Sequence, residues 1–537
     1  MSRRPSRLLA PFKLALPLLL VLSACGGDGG DVPASGSITL SGTAATGAAM
    51  SGAAIAVTCA SGSGTATAAN NGDYSLTLAG TLPCVLTATS SDSLTVLHSV
   101  AAGTGAPAGV VRSNITPLSE LLVAKLSGVD PAAFAASFNS ASVIAPASVA
   151  TAQTEVLTAL TTAGINVTSV ADILSGSVAA GTSVGYDGVL DTLQAVLEDA
   201  NVSLRTLSDV VASSSGATSA AGTSLVEVAL QPANTDCGAL KSGVHRLIDV
   251  THKTSSKVTI DAVALTVTTD AGTRDLARNA QCDFTVNDGT RLLVSKSGLA
   301  LWLKGTGSSG TMSISMPQQT LDVAAVAGRY NRGSYSSGPS EFGDFGEVVF
   351  DATGQNTVGV NCTAGVGTCV EDLGSKGRLQ VDADGGFDYV ESGETVARLF
   401  AFRTVQGKTV MMALEDSSTF TVFTPQTALT PPAVSTATAF WQSSQSGTGT
   451  AALSSDANTV TAVETSTGVV TRQFTDQHTD TLRYNQPFAG LRYRQTNDCS
   501  TSSCNGVVQQ PVPGAGFVVA VSSDPTKHFL TVSVDKP

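Results

Sequence analysis

Two hydrophobic patterns divide the chain. From Ser37 to Arg112, and again beyond Leu225, apolar residues tend to alternate with polar ones, as in strands with one buried face. Between Asn114 and Ser213 the period lengthens to about 3.6 residues, which indicates amphipathic helices. The pattern predicts a multi-domain, mainly β protein. An N-terminal β-sandwich and a small α-helical bundle precede C-terminal antiparallel β domains that are sandwich or barrel-like.

Changes of period and composition set the expected boundaries. A Ser/Gly/Ala-rich run after Ser213 is typical of a linker, and Pro431-Pro432 separates the last two β regions. The expected units are a signal peptide at 1–25, a flexible tether at 26–36, a sandwich at 37–112, a helical bundle at 113–213, a linker at 214–236, and β domains at 237–325, 326–433 and 434–537.

The N-terminus carries a targeting signal. A basic segment precedes an apolar run, Leu14 to Leu22, that is too short to span a bilayer, which takes roughly 20 residues. The run ends in Leu22-Ser23-Ala24-Cys25, which resembles the lipobox of bacterial lipoproteins. The resemblance implies that Cys25 is lipidated and begins the mature chain. Gly26 after the cysteine implies an outer-membrane location, with the periplasmic or surface-facing side left open. An ordinary secretory signal with a chance cysteine is the alternative.

Setting Cys25 aside leaves eight of the nine cysteines, and these fall into couples within single units. Disulfides are the default in an oxidising compartment. The expected disulfides are Cys59 with Cys84, Cys237 with Cys282, Cys362 with Cys369, and Cys499 with Cys504. Metal binding would require Cys-x-x-Cys or interleaved histidines, which the sequence lacks. We therefore predict no metal ligand and no cofactor.

Part of the first β region resembles a known module. Ser41-Gly42-Thr43, the strand from Ala53 to Cys59, and Asn71-Gly72-Asp73-Tyr74-Ser75 are similar to the carboxypeptidase-regulatory-like, transthyretin-like β-sandwich. The resemblance covers about residues 37–112. It implies a non-catalytic module near the base of a secreted or surface protein.

The charge balance limits the possible partners. Only 13% of residues are charged, and removal of the signal leaves 25 basic against 42 acidic residues, a formal charge of −17. Such a chain is a poor candidate for binding nucleic acid. The expected partners are the membrane, through the N-terminal lipid, and a protein or glycan ligand.

Candidate chemistry is sparse. Gly181-Thr182-Ser183-Val184-Gly185 matches a nucleophile elbow, but no hydrophobic strand precedes it, so a loop entering a helix is the expected role. Asp382-Ala383-Asp384-Gly385-Gly386 suggests a calcium loop, yet its twelfth position is Gly393, so a hairpin turn is expected. The histidines are scattered: His98, His245, His252, His478 and His528. Five aromatic residues would form a sugar-stacking surface if they are exposed. If they are buried, they belong to the cores of their sheets: Trp302, Trp441, Tyr330, Tyr335 and Tyr389.

Three functions fit these observations. The leading hypothesis is a lipid-anchored cell-envelope protein with a non-catalytic binding, adhesion or scaffolding role, and we predict no catalytic residue. The first alternative is a secreted polysaccharide-active hydrolase or lyase with dispersed carboxylates. The second is a lipocalin-like carrier of a small apolar ligand, suggested by Gly328-Arg329-Tyr330 at the start of a β meander.

Overall fold

The computed structural model describes residues 36–214, 224–336, 342–362, 367–374, 376–415, 418–501, 504–524 and 527–537. The signal peptide, Cys25 and the tether up to residue 35 lie outside these ranges. The described chain is multi-domain and mainly β, which confirms the predicted fold class. Within it, no helix is both long and apolar enough to cross a bilayer.

The N-terminal unit is a sandwich of two sheets. Its strands are β1 (Ser37–Thr43), β2 (Ala54–Ser61), β3 (Ser63–Thr67), β4 (Asp73–Ala79), β5 (Thr81–Thr89), β6 (Val96–Gly105) and β7 (Val110–Arg112). Strands β4, β1 and β7 form one sheet, and β3, β2, β5 and β6 form the other. Alternating residues such as Ile38 and Ile55 are buried between them. Cys59 lies opposite Cys84 across β2 and β5, and a disulfide joins the two.

A group of helices follows the sandwich. They are α1 (Pro117–Ser127), α2 (Pro131–Ser137), α3 (Pro146–Thr162), α4 (Tyr186–Asp199) and α5 (Leu204–Ser213). Thr116 caps α1 by accepting a hydrogen bond from the Ser119 amide, and Pro117 takes the first helical position, where its missing N–H has no cost. The apolar helix faces pack on one another and on Val85 and Val100 of the sandwich, so both units share one core.

A buried polar contact also joins these two units. Glu120 of α1 accepts a hydrogen bond from the backbone N–H of His98 on β6, and its Oε2 lies 3.0 Å from His98 Nδ1. Both side chains are buried. The carboxylate therefore links the edge of the sandwich to the first helix.

Of the expected linker at 214–236, the structure describes residue 214 and residues 224–236, and part of this segment is helical. Leu225–Ala229 form a short helix, α6, whose first turn is closed by a capping box between Ser224 and Glu227. Val226 is buried in the helical core, which explains why this segment is ordered as a helix.

The first β unit beyond the helices is a closed barrel, called here the first barrel. Its strands are β8 (Gly243–Asp249), β9 (Thr254–Asp261), β10 (Thr266–Thr269), β11 (Gly272–Ala280), β12 (Asp283–Val286), β13 (Arg291–Val294), β14 (Ala300–Lys304) and β15 (Thr311–Pro317). They pair in chain order, and β8 closes the ring by pairing with β15. Phe284, Leu292 and Trp302 help fill the interior, and a disulfide joins Cys237 to Cys282.

The second β unit is a curled sheet, called here the half-barrel. A short 3₁₀ turn, Ala324–Val326, leads into β16 (Gly328–Ser336), β17 (Phe342–Phe350), β18 (Asn356–Asn361), β19 (Val370–Glu371), β20 (Arg378–Val381), β21 (Phe387–Glu391), β22 (Glu394–Arg403), β23 (Thr409–Glu415) and β24 (Thr419–Pro425). The order is β19-β18-β17-β16-β24-β23-β22-β21-β20. Its two ends meet at a single bridge between Gln355 and Arg378. Cys362 and Cys369 form a disulfide beside β18 and β19.

The third β unit is again closed and is called here the C-terminal barrel. Its strands are β25 (Ala437–Ser446), β26 (Gly449–Thr450), β27 (Ser454–Glu464), β28 (Val469–Phe474), β29 (Thr479–Tyr484), β30 (Arg492–Arg494), β31 (Val507–Val512), β32 (Phe517–Ser522) and β33 (Phe529–Asp535). Pairing of β25 with both β27 and β33 closes the ring, with β26 at its edge. Cys499 and Cys504 form a disulfide between β30 and β31. The open choice between sandwich and barrel is therefore settled as barrel for this unit and for the first barrel.

A large apolar core lies between the three β units. Val508, Val519 and Val532 on the outer wall of the C-terminal barrel pack in one cluster with Ile314 of the first barrel and Phe420 of the half-barrel. Successive side chains of a strand point to opposite faces. Because the apolar face of these strands is buried against neighbouring sheets, the opposite face lines the inside of the barrel.

Candidate ligand cavity in the C-terminal barrel

Ser183, the serine of the elbow-like motif, lies in an exposed loop before α4. Residues 175–180 contain no strand, so the strand–turn–helix setting of a nucleophile elbow is missing at this position. The backbone amides of Thr182 and Ser183 both donate to Asp187 Oδ2 at 2.8 Å. The loop therefore acts as the entrance to α4, as the sequence predicts.

The histidines do not converge. His98 and His245 are buried in separate units, and burial lowers the pKa of His245 to about 4. The others lie in turns or loops: His252, His478 and His528. Over the described ranges, no three His, Cys, Asp or Glu side chains are grouped closely enough to hold a metal ion.

The carboxylates of the calcium-like loop are engaged by cations. Asp382, which follows β20, forms an ion pair with Arg398 on β22. Asp384 contacts Lys257 at 2.6 Å and Arg246 at 3.1 Å, both from the first barrel. The hydrogen bond from Lys257 is the largest of the effects that hold the pKa of Asp384 below its ordinary value. The hairpin therefore joins the half-barrel to the first barrel.

Of the aromatic residues considered for sugar stacking, most are core residues. Trp302, Trp441, Tyr330 and Tyr335 are buried. Tyr389 is partly buried and lines a cavity in the half-barrel. The described part of the chain therefore does not bring these five rings together on one exposed face.

The C-terminal barrel encloses a cavity of about 410 Å³, whereas the apolar filling of the first barrel leaves about 180 Å³ at one end. Other cavities measure about 430 Å³ in the half-barrel and about 350 Å³ between the helices and the β units. In these two cavities Arg332 donates to Asp344 and Asn361, and Lys241 donates to backbone carbonyls, and none of the lining side chains of the cavity between the helices and the β units has a buried polar atom without a partner in the described ranges. The C-terminal barrel is different in this respect.

Three charged residues form a fixed cluster in the wall of the C-terminal barrel. Arg472 donates to both oxygens of Asp480, at 2.9 and 2.7 Å, and Arg494 donates to Asp480 Oδ2 at 2.9 Å. Burial opposes ionisation of Asp480, but the two guanidinium groups outweigh it and hold its pKa below the ordinary value. With two cations and one anion, this cluster leaves one net positive charge beside the cavity.

Arg492 and Gln509 are the unpaired polar groups of the cavity. They lie directly opposite each other on β30 and β31, and both line the cavity. Arg492 Nε and Gln509 Oε1 are buried and have no hydrogen-bond partner within the described residues. Buried polar groups are normally hydrogen-bonded. The pair therefore marks the place where a ligand or water would complete the structure.

Aromatic rings provide the apolar part of the cavity wall. Phe474 stacks on His478 with ring centroids 4.2 Å apart, and the Arg472 guanidinium lies 5.2 Å from the Phe474 centroid. Arg492 lies 5.9 Å from the Tyr484 centroid. A cavity with an apolar wall and a few polar groups is the usual form of a small-molecule site.

The charged residues of the cavity were not singled out from the sequence; of its lining, His478 was considered as one of the scattered histidines and Cys504 as a disulfide cysteine. One available signal was the pair Arg492 and Arg494, which share a strand face because side chains alternate. In a chain with only 29 basic residues, two arginines on one face of a three-residue strand are unusual. Asp480, the partner of Arg494, comes from a different strand, so only pairing in the barrel reveals the cluster.

The chain matches no protein-family model and no curated protein. Among solved structures it is similar to two forms of the vaccine antigen transferrin binding protein B from Haemophilus parasuis Hp5. A double mutant matches at 8% identity and a single mutant at 10%, both with a TM-score of 0.16. Each match covers 53% of this chain and 66% of the other, just under two thirds of its length. A TM-score of 0.16 does not establish a shared fold, so the cavity is interpreted from the residues of this chain.

Proposed function

We propose that this chain is a non-catalytic binding protein of the bacterial cell envelope. Lipid on Cys25 would hold it at the outer membrane, and the C-terminal barrel would hold a small ligand. The observation that carries the proposal is the cavity of about 410 Å³ with two unpaired polar side chains, Arg492 and Gln509. The lipobox-like sequence supports the anchor. A protein or glycan partner on the outer surface stays a prediction.

The chemistry of the cavity favours polar ligands over the apolar cargo of a lipocalin-like carrier. Arg472, Arg492 and Arg494 all line it. Arg472 and Arg494 are paired with Asp480, but an apolar ligand would leave Arg492 without water or a hydrogen-bond partner, which is costly. The strand that begins at Gly328, which suggested such a carrier, belongs to the half-barrel instead.

One observation favours an enzyme as the second candidate. Asp456 and Asp535 also line the cavity, and burial raises the pKa of Asp535 against the opposing charges of Arg492 and Lys296. A carboxyl group with a raised pKa is suited to general acid catalysis on a glycan. Turnover of envelope or plant polysaccharides that disappears in Asp535→Asn would favour this candidate.

The proposed function is tested on residues 26–537 with a thermal-shift screen of small carboxylates, phosphates, amines and sugars. A ligand that binds only the folded state raises the melting temperature. Ser533→Phe places a ring in the cavity, and Thr459→Phe places the same ring at an exposed position on β27. At least one compound class should stabilise the wild type and the Thr459 variant but not the Ser533 variant. A screen in which no class stabilises the wild type would overturn the proposal.

A further inference from the structure

We infer that the ligand of the C-terminal barrel is a small organic anion with a flat apolar body, and that Arg492 and Gln509 bind its acidic group. The inference rests on the proposed function and concerns the same cavity. It follows from the charge, the geometry and the apolar lining of the site.

The charge around Arg492 is not neutralised locally. The cluster of Arg472, Asp480 and Arg494 already carries one excess positive charge. Arg492 adds a second, because no described carboxylate lies within ion-pair distance of its guanidinium. The positive charge of Arg492 acts to lower the pKa of Asp535 against the effect of burial, but the two side chains form no ion pair. Asp456 and Asp535 also line the cavity, so it is Arg492 itself that favours an anion: a bound anion would give its guanidinium the ion pair that it lacks among the described residues.

The geometry suits a carboxylate or phosphate. A guanidinium group presents N–H donors in a planar fork that matches two oxygen atoms of such an anion. Arg492 lies between Tyr484 on one neighbouring strand and Gln509 on the other. Gln509 can reach the same group only through its amide nitrogen, which makes no hydrogen bond within the described residues, while its buried Oε1 would accept from water or from a donor on the ligand. The two side chains therefore form a ready-made acid-binding pair on adjacent strands.

The aromatic part of the cavity wall favours a flat, apolar group as the rest of the ligand. Phe440, Phe474, Tyr484 and Phe529 line the cavity beside the arginines. Aromatic rings favour offset or edge contacts with flat apolar groups. The volume of about 410 Å³ falls within the range of small-molecule sites. An acid with a single aromatic ring is therefore the simplest ligand that can contact both the arginine and the aromatic side chains of the cavity.

Four probes that share one phenyl ring but differ in charge separate the effect of charge from that of the aromatic ring. Isothermal titration calorimetry on residues 26–537 would compare benzoate, phenyl phosphate, neutral benzamide and cationic benzylamine. We expect the two anions to bind at least about tenfold more tightly than benzamide, because charge-assisted hydrogen bonds are the stronger kind. Asp456 and Asp535 make preference for the amine the competing result.

Substitutions then assign the effect to one residue. Arg492→Gln should remove the preference for anions, and Arg492→Lys should keep part of it. The matched control is Arg483→Gln, because Arg483 lies on neighbouring strand β29 and pairs with Asp498 instead of lining the cavity. Arg492 has no hydrogen-bond or ion-pair partner within the described residues and only a long contact with the Tyr484 ring, so its variants should lose little stability without ligand, measured as a small decrease in melting temperature.

The outcomes distinguish the inference from the proposed function. Benzamide or benzylamine binding as tightly as benzoate, or an anion preference that survives in Arg492→Gln, would overturn the inference and leave the cavity as a binding site. Failure of all four probes, while other compounds of the screen bind, would also overturn the inference. Failure of every compound in the screen would overturn the proposed function itself.

Discussion

Asp480 is the residue on which the wall of the C-terminal barrel most depends. Its side chain is fully buried, while Arg472 and Arg494 retain 12% and 20% of their exposure. Asp480→Asn keeps the shape but removes the charge that neutralises both arginines. Removing one partner of a buried ion pair costs about 3–5 kcal/mol. Because water can reach the arginines from the cavity, we expect Asp480→Asn to lower the free energy of unfolding by about 3 kcal/mol, the lower end of that range.

The assay uses the chain's own fluorescence. The two tryptophans are Trp302 in the first barrel and Trp441 in the C-terminal barrel. In a Trp302→Phe background, Trp441 alone reports urea unfolding of the C-terminal barrel. The matched control is Asp498→Asn, whose pair with Arg483 is about a quarter exposed, 26% and 25%. This partly exposed pair should contribute about 1 kcal/mol or less, so the control should unfold much more like the wild type than Asp480→Asn does.

The pH dependence gives a second readout. The arginines depress the pKa of Asp480 in the folded state, so its contribution is present above the ordinary aspartate pKa of 3.8 and is lost as the pH falls through the lower folded value. The difference in free energy of unfolding between the wild type and Asp480→Asn should therefore be constant above about pH 4 and decrease below it. The reasoning is refuted if the free energy of unfolding of Asp480→Asn at neutral pH lies within about 1 kcal/mol of the wild-type value, or equals that of the Asp498→Asn control.

Further predictions concern the other units. Glu120→Ala should destabilise the junction of sandwich and helices by about 1–3 kcal/mol in urea unfolding, because it orphans the buried His98 N–H; Glu155→Ala, at a more exposed pair, should not. Burial lowers the pKa of Lys241 to about 8 from its ordinary value of 10.5. The free energy of unfolding of the wild type, relative to Lys241→Met, should therefore rise between pH 8 and 10.5, and a difference that does not change with pH would contradict this. Cys25→Ala should release the protein from membranes on fractionation, and mass spectrometry of the wild type should find acyl groups on Cys25 and no free thiol.

The sequence was informative about elements and poor about the site. Caps such as Thr116-Pro117 predict helix starts from neighbouring residues alone, and the structure agrees. The missed helix α6 carries the same kind of signal, Ser224 with Glu227, but the Ser/Gly/Ala-rich composition before it favoured a linker. The cavity residues were not found because Asp480, Arg492 and Gln509 lie on three separate strands, and each has an ordinary role when considered singly.

By itself the sequence determined the mainly β, multi-domain fold, since the hydrophobic period depends on residues close together in the chain. It also predicted cysteine couples that the structure joins as disulfides. Only the tertiary structure decided that two of the β units close into barrels, and that their outer walls meet in a common apolar core. That core decides which strand face points inward. Ring closure and sheet packing join residues far apart in sequence, and so they place Arg492 and Gln509 unpaired inside the C-terminal barrel.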